Sequence, residues 1–247
     1  MNRLDVELVE RGLFESREKA KRAIMAGRVQ VNERIAEKPS DAIRPEDRLT
    51  LLAPEKFVSR GGIKLEHALE YFKINVEGQV AIDIGASTGG FTDCLLQRGA
   101  ARVYAVDVGQ GQLAWKLRRD PRVVFMEKTN ARDLTAGKFQ PPFVPVELAV
   151  IDCSFISLRK IIPAAVALLR PSGKIIGLIK PQFEAGKAEA DRGAGVIRDS
   201  AIHERVLGEL KEFISSQPAL FWRGVTESPV KGLAGNKEFL VLIEHVG

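Results

Sequence analysis

Seven short runs of aliphatic and β-branched residues mark the larger, C-terminal part of the chain: Val80–Ile84, Val103–Asp107, Val123–Met126, Val146–Asp152, Lys174–Lys180, Leu220–Thr226 and Glu238–His245. Segments with helical periodicity separate most of them, and this alternation predicts parallel strands joined by crossover helices. The runs are apolar throughout rather than at alternate positions, as strands covered on both faces must be. The expected fold is α/β, a seven-stranded, mostly parallel Rossmann-like sheet. Between the sixth and seventh runs, Glu227–Lys237 contains Gly232 and Gly235 and has no room for a crossover helix, so the seventh strand is expected to return antiparallel.

The first 55 residues follow another pattern. Ser16–Arg28 reads as a short helix capped by Ser16 and stopped at Gly27, with Arg17 and Lys21 on one face and Ala20, Ala23 and Ile24 on the other. Val29–Asn32 alternates like a short strand and Asp47–Leu52 like its partner. These elements predict a small α+β domain over residues 1–55. Pro54 breaks the periodicity in Ala53–Phe57, which places a linker at residues 56–60 and the large domain at 61–247.

Composition narrows the function classes. Among 247 residues there are two cysteines, Cys94 and Cys153, too few for a disulfide scaffold and suited to the reducing cytoplasm. No apolar run approaches the ~18–20 residues that cross a bilayer, and Met1–Asp5 leads into charged residues without a secretory apolar core. The chain is therefore expected to be cytoplasmic, with no stable membrane association. Three histidines without ligand spacing predict no metal site. The formal net charge is +5, yet residues 1–59 hold twelve Lys/Arg against eleven Asp/Glu, so placement matters more than total. Arg98, Arg102, Lys116, Arg118, Arg119 and Arg122 either extend a polyanion track or are solvated helix faces. Gly186–Gly195, with three glycines among charges, is expected to be a loop near the cleft.

In an open α/β sheet, ligands bind beyond the carboxyl ends of the strands. The first run ends in Asp83-Ile84-Gly85-Ala86-Ser87-Thr88-Gly89-Gly90, whose glycines permit a tight turn before a helix starting near Phe91. A dinucleotide loop of the G-x-G-x-x-G type would need glycine at Ser87, so a nicotinamide oxidoreductase is disfavoured. Asp107 is placed to accept both ribose hydroxyls of an adenosine, and Asn130 to meet an adenine edge. Such a pocket suits S-adenosylmethionine, with Asp83, Gly85, Ser87, Gly89, Gly90, Phe91, Asp107, Asn130 and Asp152 as candidate contacts. Four further charges stand beside apolar runs or motif glycines: Lys64 after Ser59-Arg60-Gly61-Gly62-Ile63, Asp152, Lys180 and Glu238. With the seventh strand antiparallel, Glu238 shares a sheet edge with Asp152 and Lys180. Singly, each also has a structural reading as a snorkelling lysine, a helix-capping carboxylate or a surface ion pair.

The order Arg3-Leu4-Asp5, Ser16-Arg17, Ala20, Ile24, Gly27, Val29, Val31-Asn32, Lys38-Pro39-Ser40 and Asp47 resembles the ribosomal-protein-S-four-type RNA-binding domain, with Glu33 standing where that family usually has a turn glycine. This resemblance implies RNA contacts by Arg3, Arg17, Lys21, Arg22, Arg28 and, in the linker, Arg60. The glycine loop with Asp107 and Asn130 resembles the S-adenosylmethionine-dependent methyltransferase fold. Lys64, Asp152, Lys180 and Glu238 resemble the Lys-Asp-Lys-Glu tetrad of the ribose 2′-O-methyltransferases related to FtsJ.

Joined in one chain, and with Asp152-Cys153-Ser154-Phe155-Ile156-Ser157 and Gly195-Val196-Ile197-Arg198-Asp199, these features resemble the TlyA family, often labelled haemolysin A. The resemblance implies methyl transfer from S-adenosylmethionine to a ribose 2′-hydroxyl of cytidine, with ribosomal RNA or ribosomal subunits as partners. Lys180 is then the candidate proton acceptor, Asp152 lies near the methyl group, and Lys64 and Glu238 orient the hydroxyl and balance charge. The residues leave open whether Lys180 takes the proton or stabilises the oxyanion while water takes it. Two rival readings stand beside this one: a non-catalytic RNA-binding protein, and a membrane-active haemolysin, for which no strongly apolar amphipathic helix is seen.

Overall fold

A computed structural model describes residues 2–246 apart from 26, 53, 54 and 141. It divides into two units, Met1–Lys56 and Phe57–Gly247. The break differs from the expected linker at 56–60. Phe57 is buried in the core of the larger unit, and the Val58 amide donates to Asp93 Oδ2 at 2.8 Å, so residues 57–60 open that unit rather than lead to it. Ala53 and Pro54, on which the linker reading leaned, lie outside the described residues.

In the smaller unit, helices Leu4–Glu10 and Arg17–Met25 pack Leu4, Leu8, Ala20, Ala23 and Ile24 into one core with Val29 and Ile43. The apolar face read from the sequence is the buried one. Strand Val29–Val31 pairs antiparallel with both Arg34–Ile35 and Leu49–Leu51. The turn between the first two puts Asn32 and Glu33 at φ of 48° and 70°, a left-handed pair. Asn32 suits it, since its side chain donates to Asp47 Oδ1 at 2.7 Å and accepts from the Arg48 amide at 2.9 Å. Glu33 has no such side-chain bonds among the described residues, so Glu33→Gly is expected to stabilise this unit by about 1 kcal/mol, read as a rise in its denaturant midpoint.

The larger unit holds one sheet of seven strands: β1 (Val80–Ile84), β2 (Arg102–Val106), β3 (Val123–Met126), β4 (Val146–Ile151), β5 (Leu169–Ile179), β6 (Leu220–Glu227) and β7 (Phe239–His245). Their spatial order is β6-β7-β5-β4-β1-β2-β3. All neighbours are parallel except β7, which runs antiparallel to both β5 and β6. The unbroken apolar runs are explained by two cores. Along β4, Leu148 and Val150 enter one cluster while Val146, Ala149 and Ile151 enter the other, so both pleat faces are covered by helices. Each such run is therefore apolar at nearly every position, with Glu147 of β4 and Asp83 of β1 among the charged exceptions. Gly186–Gly195, expected as a loop, instead contains the helix Lys187–Arg192, too short to show a period.

Candidate active site

Asp83 enters from β1, which lies inside the sheet between β4 and β2, and is fully buried. Its Oδ2 accepts from the Thr92 amide at 2.9 Å and the Thr92 hydroxyl at 2.7 Å, while buried Oδ1 has no hydrogen-bond partner among the described residues. Burial pushes this carboxyl up to about 7, against the Thr92 bonds and with help from the Asp152 and Asp107 charges. An orphaned acceptor that lines a cleft is a place for a cation or a donor. Behind it the chain turns at Gly85, at φ 90°, where an added Cβ would lie 2.7 Å from the Asp152 carbonyl oxygen. Gly90 abuts Ser59 and the Gly62 amide just as closely, so the loop and the helix α1 (Gly61–Tyr71) can meet only through glycine.

Asp107, at the end of β2, accepts from the Ser87 amide at 2.8 Å and the Gly109 amide at 2.6 Å, which fixes both of its oxygens at the mouth of a cleft of about 750 Å³. Asn130 lines the same cleft, but its Oδ1 caps a turn by accepting from the Arg132 amide at 3.0 Å. Its oxygen is thus engaged, which differs from a side chain with both amide groups turned to the cleft. Phe91 is buried in the core and lines the adjoining cleft.

That adjoining cleft, of about 510 Å³, gathers the four charges. Lys64 from α1 meets Glu238 Oε2 at 2.5 Å, and Lys180 after β5 meets Asp152 Oδ1 at 2.6 Å. Lys180 also donates to Ser154 Oγ at 2.9 Å. Lys64, Lys180 and Glu238 are all buried. The antiparallel return of β7 is what delivers Glu238 to this edge, as its sequence position implied. The two clefts share Gly85, Ser87, Asp152, Ser154, Phe155 and Phe183, so they are one continuous trough.

Several residues here escaped the sequence reading. Phe155 is 88% exposed at φ 63°, and its ring lies 5.0 Å from that of Phe183. A β-strand-loving, bulky residue held left-handed and outward is an outlier that marks function more often than packing. Its loop is pinned by Glu184, which accepts from Ser157 Oγ at 2.6 Å and the Leu158 amide at 2.7 Å. Buried Asn236 accepts from the Ile197 amide and donates to the Gly195 carbonyl, both at 2.9 Å, seating that segment beside Glu238. Gly232 touches the Glu238 carboxylate so closely that no Cβ fits. Phe155 and Ser157 stand in a motif that carries the family resemblance and Gly232 in the short connection before β7, but neither placement assigns them a role.

The expected RNA-contacting arginines are less free than their spacing suggested. Arg3 and Arg17 both pair with buried Asp5, each at 2.9 Å, and Lys21 pairs with Glu18 at 3.0 Å. Burial would raise the Asp5 carboxyl, but the two guanidiniums outweigh it and hold it below its usual range. Arg28 reaches the Leu52 carbonyl at 3.4 Å, and Arg22 is exposed with no acidic partner among the described residues. Arg60 opens α1 and lines the tetrad cleft. Of the additional cations, Arg98, Lys116, Arg118 and Arg122 are each paired with a carboxylate. No cluster of metal-ligating side chains occurs among the described residues.

Strand order, glycine loop and paired acids define a Rossmann-like methyltransferase. The O-methyltransferase TomG from Streptomyces achromogenes shares that fold, with a TM-score of 0.53 over 78% of this chain and 83% of that one at 17% identity. The FtsJ-like methyltransferase family matches residues 57–245 and the S4 domain residues 2–49. The chain belongs to the FtsJ-like methyltransferase family and, within it, to the TlyA group. It is 46% identical to the 16S/23S rRNA (cytidine-2′-O)-methyltransferase TlyA of Mycobacterium tuberculosis, covering 97% of this chain and 88% of the relative. Hemolysin A of Brachyspira hyodysenteriae is 43% identical, covering 96% and 98%. A solved structure described as a hemolysin, from Streptococcus thermophilus, matches with a TM-score of 0.75 and 45% identity over 99% of this chain and 88% of that one.

Proposed function

We propose that this protein transfers methyl from S-adenosylmethionine to the ribose 2′-hydroxyl of a cytidine in ribosomal RNA. The observation that carries the reading is the pair of buried ion pairs, Lys64–Glu238 and Lys180–Asp152, set in one trough with the glycine loop. The trough suits the cofactor: Asp83 Oδ1, buried and without a hydrogen-bond partner among the described residues, is an acceptor for its ammonium group, Gly85 lets the loop pack against the Asp152 backbone, and Asp107 offers carboxylate oxygens for its ribose. When bound, it supplies an electrophilic methyl group on a sulfonium.

The chain's own residues then orient and stabilise. Glu238, held by Lys64, accepts from the 2′-hydroxyl and aligns its oxygen. Lys180 acts as donor to that oxygen as negative charge develops, because its ammonium is also the ion-pair partner of Asp152 and is held there at 2.6 Å. The proton passes to water in the open trough. Phe155 and Phe183 offer an aromatic shelf on which an unstacked base can lie while its ribose reaches the tetrad. Phe155→Ala is therefore expected to lower kcat/KM for RNA by about tenfold to a hundredfold with unchanged cofactor affinity, and Phe155→Tyr to restore most of it. Equal turnover by Phe155→Ala would remove the shelf from the mechanism.

The decisive test is labelled methyl transfer to unmodified ribosomal subunits and naked ribosomal RNA, with nuclease mapping of the product. A labelled 2′-O-methylcytidine supports the reading; base-methylated product, or cofactor binding without transfer to any ribosomal RNA, overturns it. No helix among the described residues is long and apolar enough to cross a bilayer.

A further inference from the structure

Residues 108–132 carry six Lys/Arg and only two Asp/Glu, a net +4 within a chain whose total is +5. In the middle of this segment lies the short helix Trp115–Arg118. Its inward side is settled by Leu113 and Leu117, both buried against Gly89 of the cofactor loop, and the Ala114 amide donates to the Thr88 carbonyl at 3.1 Å. The outward side is unusual. Trp115 is 71% exposed, Val108 at the end of β2 is 73% exposed, and Phe125 of β3 is 42% exposed. Arg119 lies over the Trp115 ring at 5.8 Å and Arg118 over Phe125 at 4.8 Å.

Trp115 and Phe125 are not scattered singly, since each lies under one of two neighbouring arginines, and such a combined apolar and basic surface marks an interaction site. What surrounds the two rings says for which partner. Arg118 is committed to Glu127, but Arg119 has no carboxylate partner among the described residues, only the indole face. Aromatic rings interleaved with arginines and a local excess of positive charge suit a chain with negative phosphates and flat bases, and suit a protein or lipid surface less well. The patch also stands at the carboxyl ends of β2 and β3, the sheet edge that carries the trough.

We propose that Trp115 and Arg119 form a second RNA-docking surface on the methyltransferase unit, where Trp115 stacks on an unpaired base of the substrate and Arg119 meets the adjoining phosphate. The inference rests on the RNA reading above and adds to it a holding point away from the reacting ribose. Neither residue touches the tetrad or the groups assigned to the cofactor, so chemistry and docking are separable.

The test uses the full chain in a Trp222→Phe background, which leaves Trp115 as the sole indole. Its emission should be quenched on adding an unmodified single-stranded oligoribonucleotide of mixed sequence. Trp115→Ala is expected to weaken binding of that probe and of naked ribosomal RNA about tenfold without changing salt dependence, and Trp115→Phe to keep most of the affinity. Arg119→Ala should lower the log–log salt slope by about 1. Cofactor affinity should be the same in all variants, which also reports that they are folded. Native affinity and slope in both Trp115→Ala and Arg119→Ala would overturn the proposal while leaving the RNA reading intact. Loss of binding to ribosomal subunits but not to naked RNA would assign the patch to a protein surface and overturn it equally. No binding of any RNA by the native chain would overturn the RNA reading and this inference with it.

Discussion

Replacing Lys180 by alanine is expected to slow methyl transfer by about 10²–10³-fold or more, with cofactor affinity held within severalfold, because a preorganised donor to a developing oxyanion is worth that much. Lys180 is buried after β5, with its ammonium 2.6 Å from Asp152 and donating to Ser154 Oγ at 2.9 Å. Its removal takes away the donor and leaves Asp152 without its ion-pair partner, so the transition state loses one stabilising charge and faces the unpaired Asp152 carboxylate. Single-turnover transfer of labelled methyl separates this from a defect in RNA binding, and calorimetric titration reports the cofactor. Turnover within tenfold of native would place Lys180 away from the reacting oxygen. Lys64→Ala should differ: it strips Glu238 of its only ion-pair partner among the described residues, so loss of activity there comes with loss of stability.

The sheet could be read from the chain because its inner strands are covered on both faces, and burial on both faces favours apolar residues at nearly every position. The antiparallel β7 followed from a connection too short for a crossover, and with it the place of Glu238. What could not be read depends on partners far away in sequence or on backbone signs that side chains do not announce. Arg17 looks like a free cation on its helix, yet its guanidinium is taken by Asp5, twelve residues earlier. Asn130 looks like a base reader, yet its oxygen caps the turn it begins. Phe155 stands in the sequence only as one member of the Asp152–Ser157 motif, and the structure shows it left-handed at φ 63° and exposed. Phe57 looks like part of a linker, and only the close approach of Gly62, whose missing Cβ leaves space for its ring, shows that it is core. The charged tetrad lies between these cases. Each member was visible as a charge beside an apolar run, but only the sheet order shows that Lys64 chooses Glu238 and Lys180 chooses Asp152.

Cofactor affinity is expected to fall as pH is lowered through about 7, by about tenfold per unit below it, because the carboxyl of Asp83 must be ionised to hold an ammonium group. Burial raises this group from its ordinary 3.8 to about 7, so the native chain without cofactor keeps a proton there that the unfolded chain has already lost. The sign for stability follows: Asp83 contributes stability fully present below about 4, and that contribution is lost as pH rises through about 7. Above that, an ionised and half-satisfied carboxylate burdens the empty fold by something on the order of 4 kcal/mol. Asp83→Asn removes the charge yet keeps an oxygen to accept from the Thr92 amide and hydroxyl. It should therefore raise the melting temperature of the cofactor-free protein at pH 8 while weakening cofactor binding there about a hundredfold and making it flat between pH 5.5 and 7.5. Thermal unfolding and calorimetric titration across that range check both arms, and a native affinity that does not change with pH would remove Asp83 from the cofactor's ammonium. Opposite movements of stability and affinity from a single substitution are what a buried acid kept for a cationic ligand requires: the fold tolerates the charge because the ligand, when bound, neutralises it.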